Sequence, residues 1–144
     1  MDRKKYLKEI KRAVIKIGSS SIAGKKGGLD TVRMGKFCRE TAAVFKGGIE
    51  TIVVTSGAIS AGLEYLGMAV RPKEISVLQA AAAVGQVELM HKYGDLFSLH
   101  GLKIGQILLT REDTARRVQY LNIKSTIENL LELNVIPIIN ENDR

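Results

Sequence analysis

Short runs of β-branched and aliphatic residues alternate along this chain with longer stretches in which apolar positions recur every three to four residues. Strands and helices in that order build an α/β fold, a mostly parallel open sheet with helices on both faces. Ala13 to Ile17 predicts the first strand. Asp30 is placed to cap a helix running to Lys46, Gly47-Gly48 ends it, and Ile49 to Thr55 predicts a second strand. A short helix from about Ala58 to Leu66 stops at Gly67, and Pro72 precedes a long helix from Glu74 to about His100, closed by Gly101. Along it Ile75, Leu78, Ala82, Val84, Leu89, Tyr93, Leu96 and Phe97 form an apolar stripe, and the run Ala80 to Ala83 predicts close helix packing. Leu102 to Leu109 predicts a third strand, Thr110 caps a helix reaching about Asn134, and Val135 to Ile139 predicts a fourth strand. Pro137 argues against that last assignment, because proline lacks the amide that a sheet ladder uses. No repeat, low-complexity segment or linker interrupts the pattern.

Composition narrows the class. With 144 residues, 45% hydrophobic and 26% charged, the chain fits one ordinary globular domain. No apolar run approaches the roughly 18 residues of a spanning helix, and Met1-Asp2-Arg3-Lys4-Lys5 lacks the apolar stretch of a signal peptide, so a cytoplasmic protein without a membrane partner is expected. Cys38 is the single cysteine, which leaves no intrachain disulfide or cysteine metal site and fits a core position. Of the net charge of +7, residues 2–12 carry +4. Aromatic residues are 5% of the chain and do not interleave with the basic ones as a single-strand binding platform requires, so a solvated basic helix face is favoured over nucleic-acid binding.

The polar motifs fall at the predicted strand ends, where ligands bind in an open parallel sheet because the loops diverge there. The first strand leads into Lys16-Ile17-Gly18-Ser19-Ser20-Ser21, the second into Thr55-Ser56-Gly57-Ala58, and the fourth into Asn140-Glu141-Asn142-Asp143. The first loop is neither a Walker A loop, since five residues separate Gly18 from Gly24 and Lys25-Lys26 follows, nor a dinucleotide fingerprint. What remains is a lysine two residues before a glycine that lets backbone amides approach an anion. Strand alternation puts Val14 and Lys16 on one face and Ala13, Ile15 and Ile17 on the other. Lys16 therefore either meets an anion or reaches from an edge strand to water. Ser56 and Gly57 stand where a strand becomes a helix, as anion ligands or as a helix cap. Asp143 could hold an ammonium group, orient Lys16 or approach Mg²⁺, or the whole Asn-Glu-Asn-Asp segment could be only a turn. His91 and His100 lack a partner at ligand spacing, so surface or packing roles are expected for them.

Taken together, Val14-Ile15-Lys16-Ile17-Gly18-Ser19-Ser20, Val53-Val54-Thr55-Ser56-Gly57-Ala58-Ile59, Gly85-Gln86, Gly105-Gln106-Ile107-Leu108-Leu109-Thr110 and Pro137-Ile138-Ile139-Asn140-Glu141-Asn142-Asp143 resemble the glutamate 5-kinase branch of the amino-acid kinase family. The likeness runs from about Arg12 to Asp143. The lysine-glycine start is common to several kinases of this fold, whereas the Thr-Ser-Gly-Ala-Ile and Asn-Glu-Asn-Asp segments are selective for this branch.

The resemblance implies a three-layer sandwich that phosphorylates the side-chain carboxylate of L-glutamate with ATP and Mg²⁺, giving L-glutamyl 5-phosphate in the first step of proline synthesis. It implies Lys16 as the catalytic, phosphate-binding lysine with Gly18 and Ser19 beside it, and Ser56, Gly57, Asn140 and Asp143 as glutamate ligands. A homo-oligomer and feedback by proline are expected on the same ground. In the family the kinase domain continues further and supplies the adenine pocket and a second phosphate lysine. Residues 1–144 are thus expected to be its glutamate-binding N-terminal part, inactive alone, without those elements or the C-terminal RNA-binding-like domain of many bacterial members. The alternatives are a relative acting on N-acetylglutamate, aspartate, a nucleoside monophosphate or an isoprenoid phosphate, and a non-catalytic domain that senses glutamate or proline.

Overall fold

The computed structural model describes residues 8–141. Among these residues the strands are β1 (Arg12–Lys16), β2 (Glu50–Val54), β3 (Lys103–Leu109) and β4 (Val135–Glu141). The helices are α1 (Ser19–Ile22), α2 (Thr31–Lys46), α3 (Ala58–Tyr65), α4 (Ile75–Ser98), α5 (Arg111–Ala115) and α6 (Arg117–Glu132). All the strands run parallel, in the order β1-β2-β4-β3. The chain moves outward from β1 to β2 to β3 and then turns back to insert β4. Crossovers between parallel strands are right-handed, so this reversal sends the last connection to the opposite face of the sheet.

Two cores result. On one face Ile17, Val53, Ile136 and Ile138 pack against Met34, Cys38 and Ala42 of α2 and Leu89, Tyr93 and Phe97 of α4. On the other face Ile52, Ile107 and Ile139 pack against Leu131 of α6, with Ile127 and Leu130 beside it. The alternation expected in β1 holds: Ile17 is buried, Val14 is 63% exposed and Lys16 is exposed. Lys16 pairs in register with Val54, so both point to the α6 face. β1 is the edge strand there, which leaves Lys16 open to water.

Local signals explain most element ends. The Asp30 carboxylate accepts from the amides of Val32 and Arg33, both at 3.0 Å, and starts α2. The left-handed residue that closes α2 is Gly48 (φ 92), while Gly47 keeps an ordinary φ. Thr110 makes a reciprocal capping box with Asp113. The predicted helix from Thr110 to Asn134 is in fact two, because Arg116 is extended (φ −99, ψ 123) between α5 and α6. No proline or glycine marks that break; it resets the helical phase so that Ile127 and Leu131 face the sheet. The turn α1 was not anticipated. Pro137 lies within the inner strand β4. The Ile139 carbonyl accepts from the Thr55 amide, one residue past β2, so by two-residue alternation the Pro137 nitrogen also faces β2, just before the first registered pair, Val53 and Ile138. Its missing donor falls where that ladder has not begun.

The stripe along α4 is shifted from expectation. Ile75 is 73% exposed, and the buried row is Ala81, Ala82, Gly85, Leu89, Tyr93 and Phe97. The small residues in that row allow α3 and α4 to touch backbone to backbone. A methyl at Gly62 would collide with the Ala81 carbonyl, and one at Gly85 with the Ala58 carbonyl and the Gly62 amide.

Backbone groups cannot yield as a flexible side chain does, so Gly85→Ala should destabilise the protein by about 1–3 kcal/mol or more in urea unfolding. Gly94→Ala in the same helix, where a Cβ would make only an ordinary 3.8 Å contact with Ile104, should be neutral or stabilising. An unchanged midpoint for Gly85→Ala would refute the crossing. Burial pushes the Cys38 thiol up from 9.0 to about 12. In that window the folded chain keeps a proton the unfolded chain releases, so stability should fall as pH rises from about 9 to about 12. Urea titrations of Cys38→Ala at pH 8, 9.5 and 11 should show a shallower fall, and an equally steep one would clear the thiol as its source.

Candidate active site

The carboxyl ends of β1, β2 and β4 open on one cleft of about 540 Å³. β1 brings Lys16 and the turn at Gly18, Ser19 and Ser20, β2 brings Thr55, Ser56 and Gly57, and β4 brings Asn140 and Glu141. Arg71, from the connection between α3 and α4, adds a second cation. A separate apolar groove of about 320 Å³ between β1 and α6 holds none of these groups.

Lys16 enters the cleft from an edge strand, and no carboxylate in the described residues pairs with its ammonium group. The sequence left open an anion beside Lys16 or an extension from an edge strand to water; in this structure the side chain is exposed and lines the cleft, an arrangement compatible with either. Gly18 has an ordinary extended backbone (φ −82, ψ 159), so a left-handed conformation is not what glycine serves there. A Cβ at Gly18 would meet nothing within 4 Å. The absent side chain leaves open space on the cleft wall that Gly18 shares with Lys16.

At the end of β2 the backbone turns sharply into α3. Gly57 is the N-cap, with φ 104 and no side-chain capping bond. Ser56 is consequently not the helix cap that the sequence allowed, and its hydroxyl has no protein partner among the described residues. Beneath it, Thr55 Oγ1 lies 2.7 Å from the Tyr93 hydroxyl and 3.2 Å from the Ser56 carbonyl oxygen. Tyr93 is fully buried, and burial pushes its phenol up to about 12, although the bond to Thr55 works in the opposite direction. Near neutral pH the phenol keeps its proton.

The end of β4 is held by amides. Asn140, only 6% exposed, donates from Nδ2 to Gln86 Oε1 at 2.8 Å and accepts at Oδ1 from the Glu141 amide at 2.9 Å. Gln86 in turn donates from Nε2 to Gln106 Oε1 at 3.1 Å. Asn140 thus has its carboxamide plane fixed, with one Nδ2 hydrogen remaining. This chain ties α4 to β3 and β4 and aims Asn140 at the cleft.

Of the residues singled out from sequence, Lys16, Gly18, Ser19, Ser56, Gly57 and Asn140 line this one cleft. Asn142, Asp143 and Arg144 lie outside the described residues, as does the basic segment up to residue 7. Cys38 is core, as expected, and His100 falls just past the end of α4. No group of three His, Cys, Asp or Glu side chains suited to a metal occurs among the described residues. No helix there is long and apolar enough to cross a membrane. Sequence reasoning missed Arg71, in an unremarkable loop, and the supporting role of Tyr93, which read as one member of an apolar stripe. The glutamines stood in quoted motifs, but nothing in linear order placed them against Asn140.

The family model described as Amino acid kinase family matches residues 11–144. Among curated proteins the chain is similar to glutamate 5-kinase of Azoarcus sp. (strain BH72), 49% identical over 137 residues that make up 95% of this chain and 37% of that protein. It is 48% identical over 141 residues to glutamate 5-kinase of Geobacter metallireducens, and 45% identical over 141 residues to that of Pelobacter propionicus, in each case across 98% of this chain and 38% of the relative. The chain therefore spans less than two fifths of the length of the curated relatives it matches.

Proposed function

The chain belongs to the amino acid kinase family, and from that premise we propose that it forms the acceptor side of an enzyme transferring the terminal phosphoryl group of ATP to the side-chain carboxylate of L-glutamate. The products would be L-glutamyl 5-phosphate and ADP, in the first step of proline synthesis. The observation that carries this reading is the convergence of an unpaired lysine, an uncommitted serine hydroxyl and a fixed asparagine on one cleft. The names of the relatives, shared over nearly the whole chain, select glutamate among possible acceptors.

The chemistry asks for no base. A glutamate side chain, with a reference pKa of about 4.3, is already the ionised nucleophile near neutral pH. The obstacle is repulsion between that carboxylate and the phosphates, so positive charge and alignment are what the protein must supply. Lys16 is proposed to hold the transferred phosphoryl oxygens, with Gly18 and Ser19 shaping the space beside it. Ser56, Gly57, the remaining Asn140 hydrogen and Asp143 are proposed to hold glutamate. Mg²⁺, when bound with ATP, supplies further neutralisation of phosphate oxygens. It takes most of its ligands from water and phosphate and needs only one or two carboxylates, so Glu141 in the cleft suits it. On the same reading residues 1–144 are the glutamate-binding part of the kinase domain and turn over little unaided. Self-association and feedback by proline belong to this reading as well.

Measuring ADP release by the full-length protein with glutamate tests the assignment. Release with N-acetylglutamate, aspartate or a nucleoside monophosphate instead would reassign the acceptor, and glutamate binding without ADP release would mark a sensor. In the full-length protein Lys16→Ala should lower kcat by about a hundredfold or more. Ser56→Ala should raise the KM for glutamate by about tenfold. Unchanged constants would remove these residues from their roles, and robust turnover by the 144-residue chain would overturn its reading as the acceptor side alone.

A further inference from the structure

We propose that Tyr93, at the centre of the core, is a positioning residue for this reaction: through Thr55 it fixes the Ser56–Gly57 peptide so that the Gly57 N–H faces the anion in the cleft. The inference rests on the proposed kinase reading and goes beyond it. Thr55 Oγ1 has one hydrogen, and its contact with the Ser56 carbonyl uses it, since a carbonyl only accepts. The 2.7 Å contact with Tyr93 must then be donated by the phenol. The result is a directed chain in which Tyr93 O–H donates to Thr55 Oγ1, and Thr55 O–H donates to the Ser56 carbonyl.

That direction has a geometric consequence. A trans peptide is planar, with its carbonyl and its N–H on opposite sides. Holding the Ser56 carbonyl toward Thr55 and the buried phenol turns the Gly57 N–H the other way. Gly57 lines the cleft, and its amide has no acceptor among the described residues. Its own carbonyl is engaged by the Ala61 amide, which starts α3. The strand side of the turn is equally fixed, because the Thr55 amide donates to the Ile139 carbonyl at 2.8 Å. Between these two anchors lie the Thr55–Ser56 and Ser56–Gly57 peptides, and the Ser56–Gly57 peptide is the one whose carbonyl the hydroxyl chain engages. A glycine at φ 104 does not resist rotation of that peptide sterically as another residue would. The buried hydroxyl chain is what holds it. A flipped peptide would present a carbonyl oxygen to an anionic acceptor and repel it.

The test uses the full-length protein and the variants Tyr93→Phe, Thr55→Val, Thr55→Ser and the double variant Tyr93→Phe/Thr55→Val. Kinetics are read below the thermal midpoint of each, with the Gly57 amide followed in ¹⁵N-glycine-labelled protein. Tyr93→Phe and Thr55→Val should each lower kcat/KM for glutamate by about tenfold to a hundredfold, the scale of misplacing one group at a reacting centre. The double variant should be no worse than the poorer single variant by more than about threefold, since both break one chain. Thr55→Ser, which keeps the hydroxyl, should stay within about threefold of wild type, the KM for ATP should hold within about twofold, and the Gly57 amide shift on adding glutamate should disappear in the two damaging variants. Should Tyr93→Phe fail to fold, Thr55→Val against Thr55→Ser carries the same comparison. Variants that lose thermal stability but keep kcat/KM and the Gly57 response would overturn the positioning role, as would losses that multiply in the double variant. A wild-type protein that releases no ADP with glutamate would sink the kinase reading itself, a result distinguishable before any variant is made.

Discussion

Gly62 and Gly85 bring α3 and α4 together without a side chain between them, and most of the site follows from that contact. A methyl on either glycine would strike a backbone carbonyl of the other helix. Gly57, the N-cap of α3, lies three residues past the end of β2, so the crossing fixes where the long helix lies relative to the end of that strand. From there α4 delivers two supporting residues to the strand ends that line the cleft. Gln86, next to the contact, reaches Asn140 and Gln106, and Tyr93, two turns further on, reaches Thr55. A wider crossing would draw both away together. Close packing of backbones thus acts on polar geometry more than 20 residues distant in sequence.

The cleft combines two kinds of environment. On the α6 face of the edge strand, the described residues leave Lys16 exposed, with its ammonium group open to water. On the opposite face the supporting groups are buried and saturated: Thr55 is 5% exposed and Tyr93 fully enclosed. Polar groups in such surroundings are costly to leave unpaired, so the Thr55 and Tyr93 hydroxyls are held against each other. A well-bonded wall beside an exposed cation suits the proposed reaction, in which the nucleophile is already charged and must be held near another anion.

The order of the strands decides which loops share this cleft. β4 returns between β2 and β3, so Asn140 comes beside Thr55 although 85 residues separate them, and β3 contributes only indirectly through Gln106. The same reversal moves α6 to the far face, where it covers β2, β4 and β3 but leaves β1 open. Lys16 owes its exposure to that topology, since its own strand alternates apolar and polar residues in a way equally compatible with burial.

The sequence by itself determined the elements and the chemistry of their ends. Hydrophobic period, the Asp30 and Thr110 caps and the glycines that close helices are local signals, set by backbone sterics and by hydrogen bonds spanning three or four residues. They placed every strand to within about two residues and put Lys16, Ser56, Gly57 and Asn140 at strand ends, because ligand loops in parallel sheets occur there. Tertiary structure decided the rest. The break at Arg116, the outward face of Ile75, the accommodation of Pro137, the partners of Tyr93 and Gln86 and the place of Arg71 in the cleft depend on which elements become neighbours. No periodicity within a segment encodes that choice. Tyr93 shows the reason most plainly: at helical spacing a tyrosine reads as apolar bulk, and only the strand end packed above it gives its hydroxyl a partner in Thr55.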